Sequence, residues 1–241
     1  MGHQARATTL VPSIRPGVSG KVATVRGLYA IVDLDFLNQR GVEPLAFADA
    51  VLAAQPAALQ LRAKSAGARD TLALLRALQA RASARGVPLF ANDRPDLAVL
   101  AGCSGVHLGQ TDLSLSDARR VAPELALGVS THGLEQLDRA LAERPAYVAL
   151  GPIYRTSSKR DPDPVVGLEQ LAEASRRCRA AGVPLLAIGG LGLDTAASVA
   201  AWAELGAVIS ALLPPGGLPG VTATAAALHA ALGGGARGAT R

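Results

Sequence analysis

Short, unbroken apolar runs recur along the chain, and each has the length of a β-strand. Because these runs are continuous rather than alternating, they are typical of strands that are covered on both faces, as in a parallel sheet. Most are followed directly by polar residues or glycine. The pattern predicts eight strands, at residues 27–32, 58–62, 87–91, 105–108, 126–130, 147–151, 185–189 and 207–211.

Segments with a helical period lie between most of these runs. In residues 70–84, for example, leucines recur on one stripe, whereas Arg76, Gln79 and Arg81 fall largely off it. Glycine ends two such segments and proline leads into the next strand, in the similar junctions 85–88 and 181–184. Helices are predicted at residues 70–84, 134–142, 168–180, 195–205 and 222–232.

Eight buried strands alternating with helices predict an α/β fold, a single (β/α)₈ TIM barrel over residues 27–233. A doubly wound open sheet is the alternative, but it rarely needs eight such strands, and no dinucleotide fingerprint follows the first one. Residues 1–26 are predicted to be a disordered basic leader and residues 234–241 a flexible tail.

Composition narrows the class of protein. Of 241 residues 49% are hydrophobic and 18% charged, enough for one large core. The net charge of +5 arises at the ends, because the chain without residues 1–32 and 214–241 has 18 basic and 19 acidic residues. We therefore expect no nucleic-acid partner. No run is long enough to span a membrane, and two cysteines without metal-ligand spacing fit a cytoplasmic protein.

Candidate chemistry gathers after the strands, where barrel enzymes build their active sites. The second strand carries Gln60, Arg62 and Lys64, and a period of two places all three side chains on one face. Two cations and an amide suit an anion, although a solvated cluster of charges is the alternative. Asp93 and Asp112 follow the third and fourth strands. Each could be only a helix cap, but together they suit Mg²⁺.

The later loops supply a second set of polar groups. Ser130 and His132 follow the fifth strand, and the loop after the sixth has hydroxyls and a lysine, as a phosphate-binding lid would. Backbone at residues 187–190 and 208–211, after the last two strands, suits a phosphate cradle. His107, inside an apolar strand, is expected to be structural. Two anion sites on one rim indicate two phosphorylated substrates.

These motifs, in this order, resemble the thiamine-phosphate synthase (thiamin phosphate pyrophosphorylase) family over residues 27–212. The matching stretches are residues 28–33, 60–64, 92–94, 105–112, 128–132, 151–159, 167–169 and 187–190. The resemblance implies a transferase that joins hydroxymethylpyrimidine diphosphate to thiazole phosphate, releasing pyrophosphate and thiamine phosphate. It implies Mg²⁺ as cofactor, held by Asp93 and Asp112.

The resemblance also assigns roles to the other residues. Those matching the family's diphosphate and pyrimidine contacts are Gln60, Arg62, Lys64, Asn92, Ser130 and Lys159. Arg62, Ser130 and Lys159 are the predicted catalytic residues. Those matching the thiazole phosphate contacts are Thr156, Ser158, Gly189, Gly190, Ile209 and Ser210.

Two other functions remain in competition with the synthase. One is a thiazole tautomerase of the same fold, an isomerase that would use His132. The retained charged and metal residues favour the synthase over it. The other is a non-catalytic ligand-binding or regulatory barrel, for which unpaired rim charges would be costly to keep. The sequence leaves the oligomeric state open, with a homo-oligomer as one option.

Overall fold

A computed structural model describes residues 25–156 and 163–235 of the chain. Its parallel strands pair in sequence order, and the eighth pairs with the first, so the sheet closes into a barrel. The predicted TIM barrel is confirmed. The strands are Gly27–Asp33 (β1), Ala58–Arg62 (β2), Leu89–Asn92 (β3), Gly105–Leu108 (β4), Ala126–Thr131 (β5), Tyr147–Leu150 (β6), Leu185–Ile188 (β7) and Leu205–Val208 (β8).

Helices connect successive strands around the outside of the barrel. They are Leu34–Asn38 (α1), Pro44–Ala53 (α2), Ala68–Ala84 (α3), Pro95–Ala101 (α4), Leu115–Val121 (α5), Leu134–Ala142 (α6), Gly167–Ala181 (α7), Leu193–Ala200 (α8) and Leu218–Ala231 (α9), with a 3₁₀ turn at Ser210–Leu212. The sequence pattern did not resolve α1, α2, α4 and α5, of which three are seven residues or shorter. Such short helices give a weak periodic signal.

The eighth repeat is where the sequence prediction was wrong. The helix expected over 195–205 ends at Ala200, and the strand expected at 207–211 begins at Leu205 and ends at Val208. Leu205 pairs with both Gly27 and Leu186, so sheet closure draws it into the strand despite its helix-like surroundings. The Glu204 carboxylate also accepts the N–H of Leu185 at 3.0 Å, which anchors the start of the strand to β7.

The barrel interior is filled mainly by three aromatic rings. Tyr29, Phe90 and Tyr147 are each at most 1% exposed, and their ring centroids lie 5.6 to 5.7 Å apart. Two strand glycines make room for them. A Cβ on Gly128 would lie 2.0 Å from the Tyr147 ring, and one on Gly105 would lie 2.4 Å from Phe90. The sequence therefore pairs large rings with strand positions that have no side chain.

A larger apolar layer lies between the sheet and the helices. It consists mainly of leucine, valine and alanine from the outward faces of the strands and the inward faces of the helices. The last helix is anchored to the end of the barrel that holds the strand N-termini, because His229 of α9 accepts the N–H of Leu28 at Nδ1, at 3.2 Å. The open end is the rim that holds the strand C-termini.

Both ends of the chain and residues 157–162 lie outside the described residues. The predicted leader (1–26) and tail (234–241) fall almost entirely outside the described residues and stay predictions. Within the described part, no helix is both long and apolar enough to cross a bilayer.

Candidate functional site

A cavity of about 540 Å³ opens at the strand C-termini, a size typical of small-molecule sites. Every candidate site residue that the structure describes lies on its wall. These residues are Gln60, Arg62, Lys64, Asn92, Asp93, Asp112, Ser130, Thr156, Gly189, Gly190, Ile209 and Ser210. Ser158 and Lys159 lie outside the described residues. The closed barrel thus brings motifs from across the chain into one site.

Arg62 is held at the end of β2 by an acid that the sequence analysis did not assign. Its Nη1 lies 2.7 Å from Oδ2 of Asp33, which is only 3% exposed. Oδ1 of Asp33 accepts the N–H of Phe36 at 3.0 Å and so caps α1. Asp33 therefore fixes the guanidinium at the cavity while leaving part of it exposed.

Gln60 and Asn92 meet across β2 and β3. The Gln60 amide donates from Nε2 to Oδ1 of Asn92 at 2.7 Å. Gln60 is buried and Asn92 is partly exposed. Their bond fixes the amide orientations, and it leaves Oε1 of Gln60 as an acceptor and Nδ2 of Asn92 as a donor for a ligand.

Asp93 occupies a backbone conformation that aspartate tolerates better than most residues, with φ at 64°. Its N–H donates to the carbonyl of His107 at 2.8 Å, which ties this turn to β4. Its Oδ2 lies 2.7 Å from Nζ of Lys64. The turn thus directs the carboxylate into the cavity, where Lys64 balances its charge.

Asp112 reaches the same place from the loop after β4. Its Oδ2 accepts the N–H of Gly109 at 2.6 Å, and a Cβ on Gly109 would lie 2.9 Å from that oxygen. Burial raises the pKa of the Asp93 carboxyl; the Lys64 ammonium opposes this, and the Asp112 carboxyl adds to it. Because each carboxylate disfavours the charge of the other, a cation bound between them would be stabilised.

The donor set fits a hard divalent ion that keeps most of its ligands from water or substrate. Among the described residues, no group of three or more His, Cys, Asp and Glu side chains could hold a metal. Two carboxylates are the number of protein ligands that Mg²⁺ often has when phosphate oxygens complete its shell. The chemistry of this pair therefore suits Mg²⁺ better than Zn²⁺, whose sites usually include histidine or cysteine among their ligands.

His107 lies deeper in the cavity, between the aromatic interior and Ser130. Its Nδ1 is 2.9 Å from the Tyr147 hydroxyl and its Nε2 is 2.8 Å from Oγ of Ser130. His107 was expected to be structural. Its side chain lies within the barrel and also lines the cavity. Gln110, which also lines the cavity, donates from Nε2 to the Ser130 carbonyl at 2.6 Å and so holds the end of β5 in place.

His132 lines the cavity on the side of β6. Its Nδ1 is 2.7 Å from the Gly151 carbonyl, which can only accept, so this nitrogen carries the hydrogen. The same nitrogen lies 3.5 Å from Oδ2 of Asp163, and Gln136 accepts the His132 N–H at 2.8 Å. The backbone and the ring are both fixed, with Nε2 directed away from these partners.

Gly151, Gly189 and Gly190 lie on the side of the cavity formed after β6, β7 and β8, called here the glycine-rich wall. Gly189 and Gly190 have φ of 97° and 67°. A Cβ on Gly189 would lie 2.5 Å from Cα of Pro152, and one on Gly190 would lie 2.5 Å from the Arg155 carbonyl. These two positions need glycine for both conformation and space. Ile209 and Ser210 complete this side of the wall.

The polar side chains that line the cavity and that the sequence did not single out are Tyr29, Gln110, Thr111, Gln136 and Asp163. Asp33, which pairs with Arg62, is a further one beside the cavity. Asp33 had a usable signal, because it ends an apolar strand at the same rim as the other charges. Tyr29 and Gln136 had no such signal in the sequence, since their neighbours at the cavity are set by the closed barrel and by side-chain conformation.

The chain matches known proteins along most of its length. A family model described as thiamine monophosphate synthase matches residues 28–212. A thiamine-phosphate synthase of Anaeromyxobacter dehalogenans is 43% identical over 226 residues, covering 92% of this chain and 96% of the relative. One of Koribacter versatilis is 47% identical over 193 residues, covering 77% and 88%.

A solved structure supports the same assignment. The thiamine phosphate pyrophosphorylase of Pyrococcus furiosus superposes with a TM-score of 0.75 at 25% identity, covering 87% of this chain and 96% of that one. The fold, the rim motifs and these relatives agree. The chain belongs to the thiamine monophosphate synthase family.

Proposed function

We propose that the protein joins hydroxymethylpyrimidine diphosphate to thiazole phosphate, giving thiamine phosphate and pyrophosphate. The observation that carries this proposal is the meeting of Arg62, Lys64, Asp93 and Asp112 in one cavity, beside a glycine-rich wall. The first group suits a diphosphate with its metal ion. The second suits a phosphate monoester bound by backbone N–H groups.

The reaction needs charge stabilisation more than proton transfer. The C–O bond between the pyrimidine methylene group and the diphosphate breaks, and its electron pair leaves with the diphosphate oxygen. The thiazole nitrogen then forms the new C–N bond with its own lone pair. Because neither step moves a proton, cations that face the departing oxygens contribute most of the rate.

Arg62 and Lys64 are the cations proposed to hold the diphosphate. Asp33 keeps the Arg62 guanidinium in place, so that little side-chain freedom is lost when an anion binds. Lys64 pairs with Asp93 in this structure, at 2.7 Å, and it is about half exposed, so its ammonium can also reach a bound anion. Lys159, outside the described residues, remains the predicted third cation.

Asp93 and Asp112 are the residues that would hold Mg²⁺. When bound there, Mg²⁺ would supply further positive charge to the diphosphate oxygens. Without it, the partly buried Asp93 carboxylate has Lys64 as its neutralising partner.

Gln60, Asn92 and Ser130 are proposed to hold the pyrimidine. The Gln60–Asn92 bond fixes two amides whose remaining donor and acceptor match the alternating acceptor and donor groups of an aminopyrimidine edge. Ile31 and Ile188 give this part of the cavity an apolar wall. Such a wall would exclude water from the pyrimidine carbocation until the thiazole nitrogen forms the C–N bond.

The glycine-rich wall is proposed to bind the thiazole phosphate. Gly189, Gly190, Ile209 and Ser210 follow β7 and β8, where barrels often bind phosphate, and Thr156 lies on the same cavity wall. Ser158 remains a predicted second hydroxyl. With Cβ atoms excluded at Gly189 and Gly190, a phosphate can approach the main chain closely.

The proposal is tested by pyrophosphate release with purified protein, both substrates and Mg²⁺. Each substrate is then omitted in turn, and Mg²⁺ is removed with a chelator. We expect thiamine phosphate and pyrophosphate in equal amounts, and only with all three present. Absence of product in the complete mixture would contradict the proposal.

The tautomerase alternative uses the same cavity and can be tested in parallel. His132 is its acid/base candidate, and Nε2 is directed away from the Gly151 carbonyl that fixes Nδ1. Isomerisation of a thiazole carboxylate phosphate without pyrophosphate release would favour this alternative. The family relatives named above favour the synthase.

The cellular location is proposed to be the cytoplasm. Both thiols, Cys103 and Cys178, are buried, and burial raises the pKa of each to about 12, which keeps them protonated and unreactive. Such cysteines are typical of proteins in reducing compartments.

A further inference from the structure

A continuous chain of hydrogen bonds crosses the barrel interior below the cavity and ends at Ser130, and its first member, Tyr29, borders the cavity as well. The Tyr29 hydroxyl lies 2.9 Å from that of Tyr147, which lies 2.9 Å from Nδ1 of His107. Nε2 of His107 in turn lies 2.8 Å from Oγ of Ser130. The chain joins β1, β6, β4 and β5, and the mechanism above uses only its last member.

The far end of this chain sets the direction of all its hydrogen bonds. Tyr29 is 1% exposed, and among the described residues its hydroxyl has one hydrogen-bond partner, Tyr147. Burial raises the pKa of both tyrosines, so each keeps its hydrogen. A buried donor without an acceptor is costly. The Tyr29 hydroxyl must therefore donate to the oxygen of Tyr147.

The remaining directions follow one from another. Tyr147 accepts from Tyr29 and donates its own hydrogen to Nδ1 of His107. A neutral imidazole whose Nδ1 accepts carries its hydrogen on Nε2, and that nitrogen donates to Oγ of Ser130. Ser130 then has its own hydroxyl hydrogen left for the cavity that it lines.

We propose that Tyr29, Tyr147 and His107 are positioning residues that present Ser130 to the substrate as a hydrogen-bond donor. The matching substrate group is an acceptor, such as a phosphate oxygen or an unprotonated ring nitrogen. This proposal rests on the proposed function only in its choice of substrate, since the direction of the chain follows from the protein alone.

The His107 tautomer tests the direction without any turnover. In protein labelled with ¹⁵N-histidine, at about pH 8, protonated and unprotonated ring nitrogens resonate in separate ranges. We expect hydrogen on Nε2 of His107 in the wild type, and a mixture of tautomers in Tyr147→Phe. Hydrogen on Nδ1 in the wild type, or an unchanged tautomer in Tyr147→Phe, would overturn the proposal.

Kinetics test whether Tyr29, Tyr147 and His107 act through Ser130. Tyr147→Phe should lower kcat/KM about tenfold, the effect of one neutral hydrogen bond. In a Ser130→Ala background the same change should cost less than about twofold, because the group it positions is gone. Equal costs in both backgrounds would overturn the positioning role.

Two further variants separate positioning from packing. Phe90→Leu alters the same aromatic interior without touching a hydroxyl, and its ring contacts both tyrosines. Phe90→Leu should lower thermal stability, and its effect on kcat/KM should add to that of Ser130→Ala.

Tyr29→Phe removes the hydroxyl hydrogen that fixes the direction of the first hydrogen bond, so the Tyr147 hydroxyl should no longer be forced to donate to His107. This variant serves for the tautomer measurement if Tyr147→Phe does not fold. If the synthase assay fails while His107 carries hydrogen on Nε2, the proposed reaction is wrong and the direction of the chain stands.

Discussion

The two sides of the cavity are proposed to recognise anions in different ways. The side formed after β2, β3 and β4 uses side chains, with Arg62, Lys64, Asp93 and Asp112 carrying formal charges. The side formed after β7 and β8 uses the main chain, at positions such as Gly189 where a Cβ would collide with neighbouring backbone. The first side is therefore sensitive to loss of charge, and the second to added atoms.

The largest effect should come from removing a charge on the first side. Asp93→Asn keeps the size of the side chain but removes one proposed Mg²⁺ ligand, so kcat should fall by about 100- to 1000-fold. Mg²⁺ titrations of the steady-state rate measure this, with circular dichroism as the folding control. Unchanged turnover and unchanged Mg²⁺ dependence would contradict the metal assignment.

A smaller effect should come from adding one methyl group on the second side. Gly189→Ala places a Cβ 2.5 Å from Cα of Pro152 at a φ of 97°. The strain should cost about 1–3 kcal/mol of stability and raise the KM for thiazole phosphate about tenfold, leaving the KM for the pyrimidine substrate nearly unchanged.

The matched control for that change is Gly67→Ala at the start of α3. Gly67 has φ of −67°, and a Cβ there would meet nothing within 4 Å. Its melting temperature and both KM values should match the wild type. An equal rise in both KM values for Gly189→Ala would show that the two sides do not bind separate substrates.

Asp33→Asn should act on the first side indirectly. The variant keeps an oxygen to cap α1 but loses the charge that holds Arg62 at 2.7 Å. A freer guanidinium should raise the KM for the pyrimidine diphosphate about tenfold, through roughly 1.4 kcal/mol of lost positioning. Steady-state kinetics with each substrate varied in turn would detect it. A change confined to the thiazole phosphate would argue against Asp33 acting through Arg62.

The smallest effect on kcat should come from Asp96→Asn, the same substitution three residues after Asp93. Asp96 pairs with Arg94 at 2.5 Å, and both side chains are about half exposed. Exposed pairs contribute little, so Asp96→Asn should change kcat less than about twofold. A loss approaching that of Asp93→Asn would mean that net charge, rather than the position of Asp93, governs the site.

The sequence predicted the fold well because barrel strands are buried on both faces. The strands 58–62 and 105–108 were predicted to the residue, because short and mainly apolar runs there have the length of a strand. The prediction for the eighth repeat was wrong because residues 201–205 have local helical character. The pairing of Leu205 with Gly27 and Leu186 decides the structure there. Local propensity carries no information about such non-local pairing.

The sequence predicted those site residues whose type and position after a strand already indicate a function. Asp93 and Asp112 stood out as acids after strands, but the ion pair between Asp33 and Arg62 joins residues 29 positions apart. His107 looked structural because its neighbours in sequence are apolar. Its polar partners, Tyr147 and Ser130, come from β6 and β5, and they become neighbours only when the barrel closes.

The fit between Gly128 and Tyr147 ties the inside of the barrel to its chemistry. A Cβ at Gly128 would lie 2.0 Å from a ring whose hydroxyl supports His107. Any side chain introduced at Gly128 would need a smaller residue at position 147, and a smaller residue would lose that hydroxyl. The two positions can therefore vary only together, and a redesigned barrel interior would also redesign what the cavity recognises.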